Sequence, residues 1–164
     1  MKIPLRIGKL FPDREWYFPI LSLTIRLPKY RGFLMTEALI DTGCYKSSIA
    51  PRDVRRMNIP YSAFPQPVSR PIGLGGLKHF IHIAKEVILS FRDEEEKSQR
   101  IELPEIDVLR CVGSEEEAKH IPTILGTEFL EQAGLSLFYN PKRKEAYLEA
   151  VRSVPPASVL NKEL

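Results

Sequence analysis

The six residues 38-ALIDTG-43 decide how this chain is interpreted. The apolar residues Ala38, Leu39 and Ile40 run directly into Asp41-Thr42-Gly43, which places a carboxylate where a buried strand meets a turn. Asp-x-Gly alone is ordinary turn material and a weak signal. Ser47 and Ile49 follow with alternating polar and apolar character, so the chain continues as an extended strand. This setting makes Asp41 a candidate functional carboxylate.

A second apolar strand end lies further along the chain, at Ile124-Leu125-Gly126. It is followed by residues 127–133, which predict a short helix that Gly134 stops. The chain therefore contains two apolar strand ends, and Asp41 directly follows the first of them.

Short strands and frequent turns are predicted for the rest of the chain, which contains 14 prolines. Alternating or β-branched stretches predict strands over 17–27, 33–40, 78–83, 85–91, 101–103, 106–112, 121–125, 135–139 and 145–151. A turn is predicted over 28–32, a short helix with proline in its first turn over 51–58, and charged loops over 92–100 and 114–120. This pattern predicts an all-β fold, closed or sandwiched, with one or two short helices.

Three glycines, Gly73, Gly75 and Gly76, lie between the extended stretches 68–72 and 78–83. They predict a hairpin whose tip, Leu74 to Leu77, requires glycine dihedral angles. A phosphate loop is not indicated, because no helix pattern follows. The hairpin is interpreted either as a fixed turn or as a mobile flap over a substrate, and the nearby acid motif favours the flap.

Taken together, these segments resemble the retropepsin-like, retroviral-type aspartic proteases. The resemblance covers roughly residues 17–151 and rests on ALIDTG with Ser47 and Ile49, on RPIGLGGLKHFIHI (70–83) and on ILGTEFLEQAG (124–134), in the family's order. It implies a small closed β barrel of the acid-protease type, with one lobe per chain. A single domain is expected over 1–164, with a core over about 17–151, an N-terminal segment 1–16 and a C-terminal tail 152–164.

The same resemblance implies an aspartic endopeptidase that hydrolyses peptide bonds by activating water between two carboxylates. Since Asp-Thr-Gly occurs once, a homodimer with a two-fold axis through the site is needed to supply the second Asp41. Asp41 is then the catalytic acid or base, and Thr42 and Gly43 hold it in place. The residues expected to contact a polypeptide substrate are Cys44, Tyr45, Gly73, Leu74, Gly75, Gly76, Leu77 and Ile124. No metal or cofactor is implied.

Two alternatives remain open at the level of sequence. The chain could be a catalytically silent peptide-binding or structural dimerisation module of the same fold, because a fold does not fix a function. A cysteine nucleophile at Cys44, with His79, His82 or His120 as its base, has no supporting signature around it. Cys44 stands where the family usually has alanine or serine, and Tyr45 and Lys46 replace small or acidic residues.

Composition narrows the remaining function classes. The 24 basic and 21 acidic side chains leave a net charge of +3 that is scattered along the chain, so nucleic acid is not an expected partner. No apolar run approaches the ~20 residues of a membrane span, and the first residues lack a signal-peptide pattern. Cys44 and Cys111 match no metal-ligand spacing and are expected to be reduced thiols. These features favour a cytoplasmic protein.

Overall fold

The computed structural model describes residues 1–68, 71–74 and 76–151, which form short strands and a few short helices. The strands are β1 (Lys2–Pro4), β2 (Arg6–Lys9), β3 (Tyr17–Leu27), β4 (Gly32–Ile40), β5 (Ser48–Ile49), β6 (Ile72–Leu74), β7 (Leu77–Arg92), β8 (Ser98–Cys111), β9 (Thr123–Leu125), β10 (Leu135–Asn140) and β11 (Glu145–Ala150). The α-helices are α1 (Pro51–Arg56), α2 (Glu115–Ala118) and α3 (Thr127–Ala133). None of these described helices is long and apolar enough to cross a bilayer.

Six of the strands are hydrogen-bonded in a closed ring, in the order β3-β4-β9-β5-β8-β7 and back to β3. The β4–β9 and β5–β8 pairs are parallel and the other four are antiparallel. Outside the ring, β2 extends the β3 edge, β6 forms a hairpin with β7, and β1, β11 and β10 make a separate three-stranded sheet. The all-β class predicted from the sequence is confirmed.

The core lies inside this ring and is built from aliphatic side chains at alternating strand positions. Helix α3 adds Phe129, which is fully buried and packs edge-on against Phe91 with ring centroids 6.0 Å apart. The first residues of the chain belong to the same unit, since Ile3 is fully buried and β1 pairs with β11. Burial of this apolar surface is the main term that stabilises the fold.

The two longest strands, β7 and β8, replace the four separate strands predicted over 78–91 and 101–112. That prediction was wrong, because it took a change of buried face for the end of a strand. On β7 the buried positions shift from His82 and Ala84 to Val87 and Leu89. Between them Glu86 adopts a φ of 59°, opposite Pro104 in the register of β8. At this position, where a left-handed residue faces a proline, the buried face of both strands changes, and strand pairing continues on either side.

Elsewhere the predicted elements agree closely with the structure. Strand β3 and helix α3 have the predicted limits, and the helix predicted over 51–58 ends earlier because Asn58 takes a φ of 57°. The turn at 28–32 contains a 3-10 turn at Pro28–Tyr30. The charged loop predicted over 114–120 was wrong in part, because Ser114 caps α2 by accepting a hydrogen bond from the Glu117 amide at 3.2 Å.

Candidate active site

Asp41 lies at the start of the loop 41–47, which connects β4 to β5. Its amide donates to the Leu125 carbonyl at 3.0 Å, and its carbonyl accepts from the Cys44 amide at 3.2 Å. The Gly43 amide donates to Asp41 Oδ1 at 2.9 Å, so the loop backbone fixes the carboxylate itself. A Cβ added to Gly43 would make a tight 3.2 Å contact with that oxygen. The backbone of Asp41 is thus held by Leu125 and Cys44, and its carboxylate by Gly43.

The acid motif lies at the surface of the single chain. Asp41 is partly exposed, Thr42 and Gly43 are exposed, and Tyr45 has 60% of its surface accessible. Within the described ranges, Gly43 is the only donor to the Asp41 carboxylate and the Thr42 hydroxyl forms no hydrogen bond. One carboxylate oxygen and the neighbouring hydroxyl therefore remain available to other molecules.

The N-terminus of α3 packs directly against the loop 41–47. A Cβ on Gly126 would lie 2.4 Å from the Tyr45 carbonyl oxygen and 2.6 Å from that of Cys44, so only glycine permits this approach. The Thr127 amide donates to the Cys44 carbonyl at 2.9 Å and the Glu128 amide to the Tyr45 carbonyl at 3.0 Å. These contacts give the Leu125-Gly126 strand end its role, which is to position the loop that carries Asp41.

A group of charged side chains behind the loop was missed by the sequence analysis. Glu128 accepts a hydrogen bond from the Ser47 amide at 2.7 Å and pairs with Lys46 at 3.0 Å. Lys46 also pairs with Glu105 at 3.2 Å, and Glu105 with Lys85 at 2.6 Å. The polar alternation of Glu105 and Asp107 in the middle of β8 was the available signal. The group became recognisable only once β8, α3 and the loop were brought together.

The charged group changes the ionisation of its members. Burial raises the pKa of Asp107 to about 6, and Glu128 and Glu105 add to that rise while Lys46 opposes it. Burial works against the charge on Lys46, but hydrogen bonds to Glu128 and Glu105 outweigh it and raise the Lys46 pKa. Hydrogen bonds from Lys85 and Lys46 lower the pKa of Glu105.

Cys44 lacks the environment of an activated thiol. Burial and the nearby Asp41 charge raise its pKa, and its Sγ donates to the Lys46 carbonyl at 3.2 Å. The rings of His79 and His82 are engaged with the Leu74 and Pro65 carbonyl oxygens at 3.3 and 2.8 Å. A nucleophilic cysteine requires a lowered pKa or an adjacent base. The cysteine interpretation therefore has no support from this geometry.

The predicted glycine hairpin is present, with shifted limits. Strand β6 covers Ile72–Leu74 instead of 68–72, and it pairs with the beginning of β7 through Leu74 and Leu77. Gly76 adopts a φ of +78°, which explains why glycine is needed there. Gly75 lies outside the described residues, as does the tail 152–164. In the described part of the chain no hydrogen bond connects this hairpin to the loop 41–47.

The predicted site residues thus fall into two groups. Asp41 to Tyr45 and Ile124 come together, since Ile124 pairs with Leu39 and Ser48 beside the strand end that holds Asp41. Ile124 is only 5% exposed. The described hairpin residues Gly73, Leu74, Gly76 and Leu77 form the second group.

No protein-family model and no curated protein matches the sequence. Among solved structures, the chain is similar to EIAV protease, with 18% identity and a TM-score of 0.45 over 79% of this chain and 99% of that one. It is also similar to a retropepsin-like aspartic protease from Rickettsia conorii, with 12% identity and a TM-score of 0.49 over 90% of this chain and 87% of that one.

Both neighbours are proteases, the second of them in the class that the sequence motifs resemble. Their TM-scores lie below 0.5, so the fold described above rests on this chain's own strand pairings. The chemistry of the site likewise rests on the residues present here.

Proposed function

We propose that the chain is an aspartic endopeptidase whose active site is completed by the Asp41 side chains of two copies. The observation that carries this proposal is the Asp41-Thr42-Gly43 turn. The Gly43 amide holds Asp41 Oδ1 at 2.9 Å, while the other oxygen of a partly exposed carboxylate has no partner in the described chain. A carboxylate fixed in orientation but open on one side is suited to binding and activating a water molecule.

The reaction needs two such carboxylates that share one proton. The ionised one takes a proton from the water while the protonated one donates to the carbonyl of the peptide bond, and two like charges at close range cannot both remain ionised. One chain supplies only one Asp-Thr-Gly. A two-fold axis next to the exposed residues Thr42 and Gly43 would bring a second Asp41 to the same water. The active form is accordingly a homodimer.

The substrate in this proposal is an extended polypeptide lying in the groove between the two copies. Tyr45, which is 60% exposed, and Cys44 lie beside Asp41 and would line the groove. The β6–β7 hairpin would cover it as a flap. Each of these residues contributes by contact, and neither a metal nor a cofactor is required for the hydrolysis.

The test is the substitution Asp41→Asn, assayed on a broad peptide library at acid and neutral pH. Asparagine is nearly isosteric but cannot share the proton, so we expect cleavage to be lost by at least ~10³-fold with an unchanged melting temperature. Glu102→Gln, at an exposed position on β8, is the matched control, since Glu102 pairs with Ile88 near the end of β3 opposite to Asp41. Cleavage by the Asp41→Asn protein at the wild-type rate would contradict the aspartic mechanism. A folded wild-type dimer that binds peptides without cutting them would instead identify a silent binding module.

A further inference from the structure

Asp107 is a half-buried carboxylate on β8 that the proposed reaction does not use. It lies within the charged group behind the loop 41–47, and its amide donates to the Ser47 carbonyl at 3.1 Å. Within the described ranges its carboxylate accepts no hydrogen bond and has no cation within 4 Å. It is also not part of a metal site, since no group of three potential ligands is found among the described residues. Such a carboxylate is costly to ionise in the folded chain.

The surroundings of Asp107 explain why its charge matters. Lys46 is the cation closest to it in the loop, and this one ammonium group is already shared by Glu105 and Glu128. The thiol of Cys44 also faces it from the loop. Its cross-strand neighbours, Ile83 on β7 and Ser48 on β5, carry no charge. On β7, Lys85 is held by Glu105.

Protonation of Asp107 leaves this group balanced, with Lys46 and Lys85 facing Glu105 and Glu128. Ionisation adds a third negative charge, which attracts Lys46 and repels Glu128. Both effects weaken the 3.0 Å pair between Lys46 and Glu128. Glu128 in turn accepts the 2.7 Å hydrogen bond from the Ser47 amide, at the end of the loop that begins with Asp41. The charge on Asp107 therefore affects the backbone that carries the proposed catalytic acid, through Lys46, Glu128 and the Ser47 amide.

We infer that Asp107 is a pH-sensitive positioning residue, which allows Lys46 and Glu128 to hold the loop 41–47 when it is protonated and loosens that hold when it is ionised. The inference deepens the proposed function, on which its consequence for catalysis rests. The sign follows from linkage: because burial raises the Asp107 pKa from 3.8 to about 6, its contribution favours the folded chain at low pH and is lost as the pH rises through about 6. Cleavage would then be favoured at acid pH for two reasons, the shared proton of the acid pair and the intact loop.

A first experiment measures stability and requires no activity. Melting temperatures of the wild type, Asp107→Asn and the control Glu102→Gln, at an exposed position on the same strand, are compared between pH 4 and pH 8. We expect the Asp107→Asn protein to match the wild type at pH 4 and to exceed it by about 3 °C or more at pH 7, because the amide never ionises. Parallel curves for the two proteins would overturn the inference.

A second experiment follows the loop itself in the inactive Asp41→Asn background, so that the catalytic acid cannot titrate. The Ser47 amide resonance should shift with a midpoint near pH 6, and adding Asp107→Asn should remove that transition. A purely structural role for Asp107 would leave the Ser47 resonance unresponsive. In the active protein, Asp107→Asn should move the alkaline limb of kcat/KM to higher pH. If cleavage is absent altogether, the proposed function fails while the stability and resonance measurements still decide this inference.

Discussion

At the scale of single residues, Gly126 is the described glycine at which an added Cβ would lie within 3 Å of backbone atoms. Its backbone lies so close to the loop 41–47 that a methyl group would overlap the carbonyl oxygens of Cys44 and Tyr45. Those same carbonyls accept the amides of Thr127 and Glu128, so the contact cannot open without losing two hydrogen bonds. The glycine is therefore a packing requirement for positioning Asp41, and not merely a helix boundary.

We predict that Gly126→Ala lowers the free energy of unfolding by about 1–3 kcal/mol, because the added methyl group meets backbone atoms that cannot rotate away. Chemical denaturation measures this loss. Gly73→Ala is the matched control, since a Cβ there meets nothing within 4 Å, and its effect should stay below about 1 kcal/mol. Equal effects at the two positions would contradict the close approach. Any remaining cleavage by the Gly126→Ala protein should be reduced more than its folded fraction.

Single residues also show what the sequence could and could not predict. Asp41, Thr42 and Gly43 were found because the turn that holds the carboxylate is local, closing within three residues. The group of Lys46, Glu105, Asp107 and Glu128 was not found, because it is drawn from a loop, a strand and a helix whose pairing must be known first. A sequence pattern identifies functional residues that lie within one turn. Functional residues that come from separate elements can be grouped only when the pairing of those elements is known.

At the scale of elements, β7 and β8 depend on one unusual residue. Glu86 holds a φ of 59° opposite Pro104, and there both strands exchange their buried faces. A side chain in the left-handed region costs roughly 1–2 kcal/mol relative to glycine. Because of this kink, the continuous β7–β8 hairpin packs on the core near its turn and reaches the β6–β7 hairpin at its opposite end.

We predict that Glu86→Gly raises the free energy of unfolding by about 0.5–1 kcal/mol, because glycine adopts a positive φ without strain. The lost contact with Lys29 is between exposed side chains and should matter little. Glu102→Gly, at an extended and exposed position on β8, is the control and should lower stability by a similar amount. Measured by denaturant unfolding, the two substitutions should therefore change the free energy of unfolding in opposite directions. A loss of stability at both positions would count against strain at Glu86.

The β6–β7 hairpin lies at an edge of the larger sheet. Among the described residues, β6 pairs with β7 alone, and the neighbouring Ile72 and Lys78 are exposed. We predict that the Leu74 and Leu77 amides exchange hydrogen at least ~10²-fold faster than those of Leu39 and Ile40 in the ring, because the hairpin can open without disturbing the core. A peptide inhibitor should slow the exchange if the hairpin is a flap. Equal protection in both places, unchanged by inhibitor, would identify a fixed turn.

At the scale of the whole molecule, the ring of strands leaves the acid motif at the surface. The core lies within the ring, β1 and β11 close one side through Ile3 and Leu148, and Asp41 to Gly43 remain accessible in the single chain. A hydrolytic site usually excludes bulk water so that its charges act strongly. A lone copy of this chain does not do so around Asp41. The geometry is consistent with a partner that covers the motif.

The proposed sharing of one active site between two copies predicts an unusual response to mixing. When wild-type protein is equilibrated with an equal amount of the Asp41→Asn variant, random exchange places about half of the wild-type chains in mixed dimers, which contain a single carboxylate and should be inactive. Cleavage at saturating substrate should therefore fall to about half, and further as the variant is increased. Glu102→Gln chains, added in the same way, should instead raise the rate in proportion. If the wild-type rate is untouched by excess Asp41→Asn after full subunit exchange, each chain must act alone and the shared acid pair is excluded.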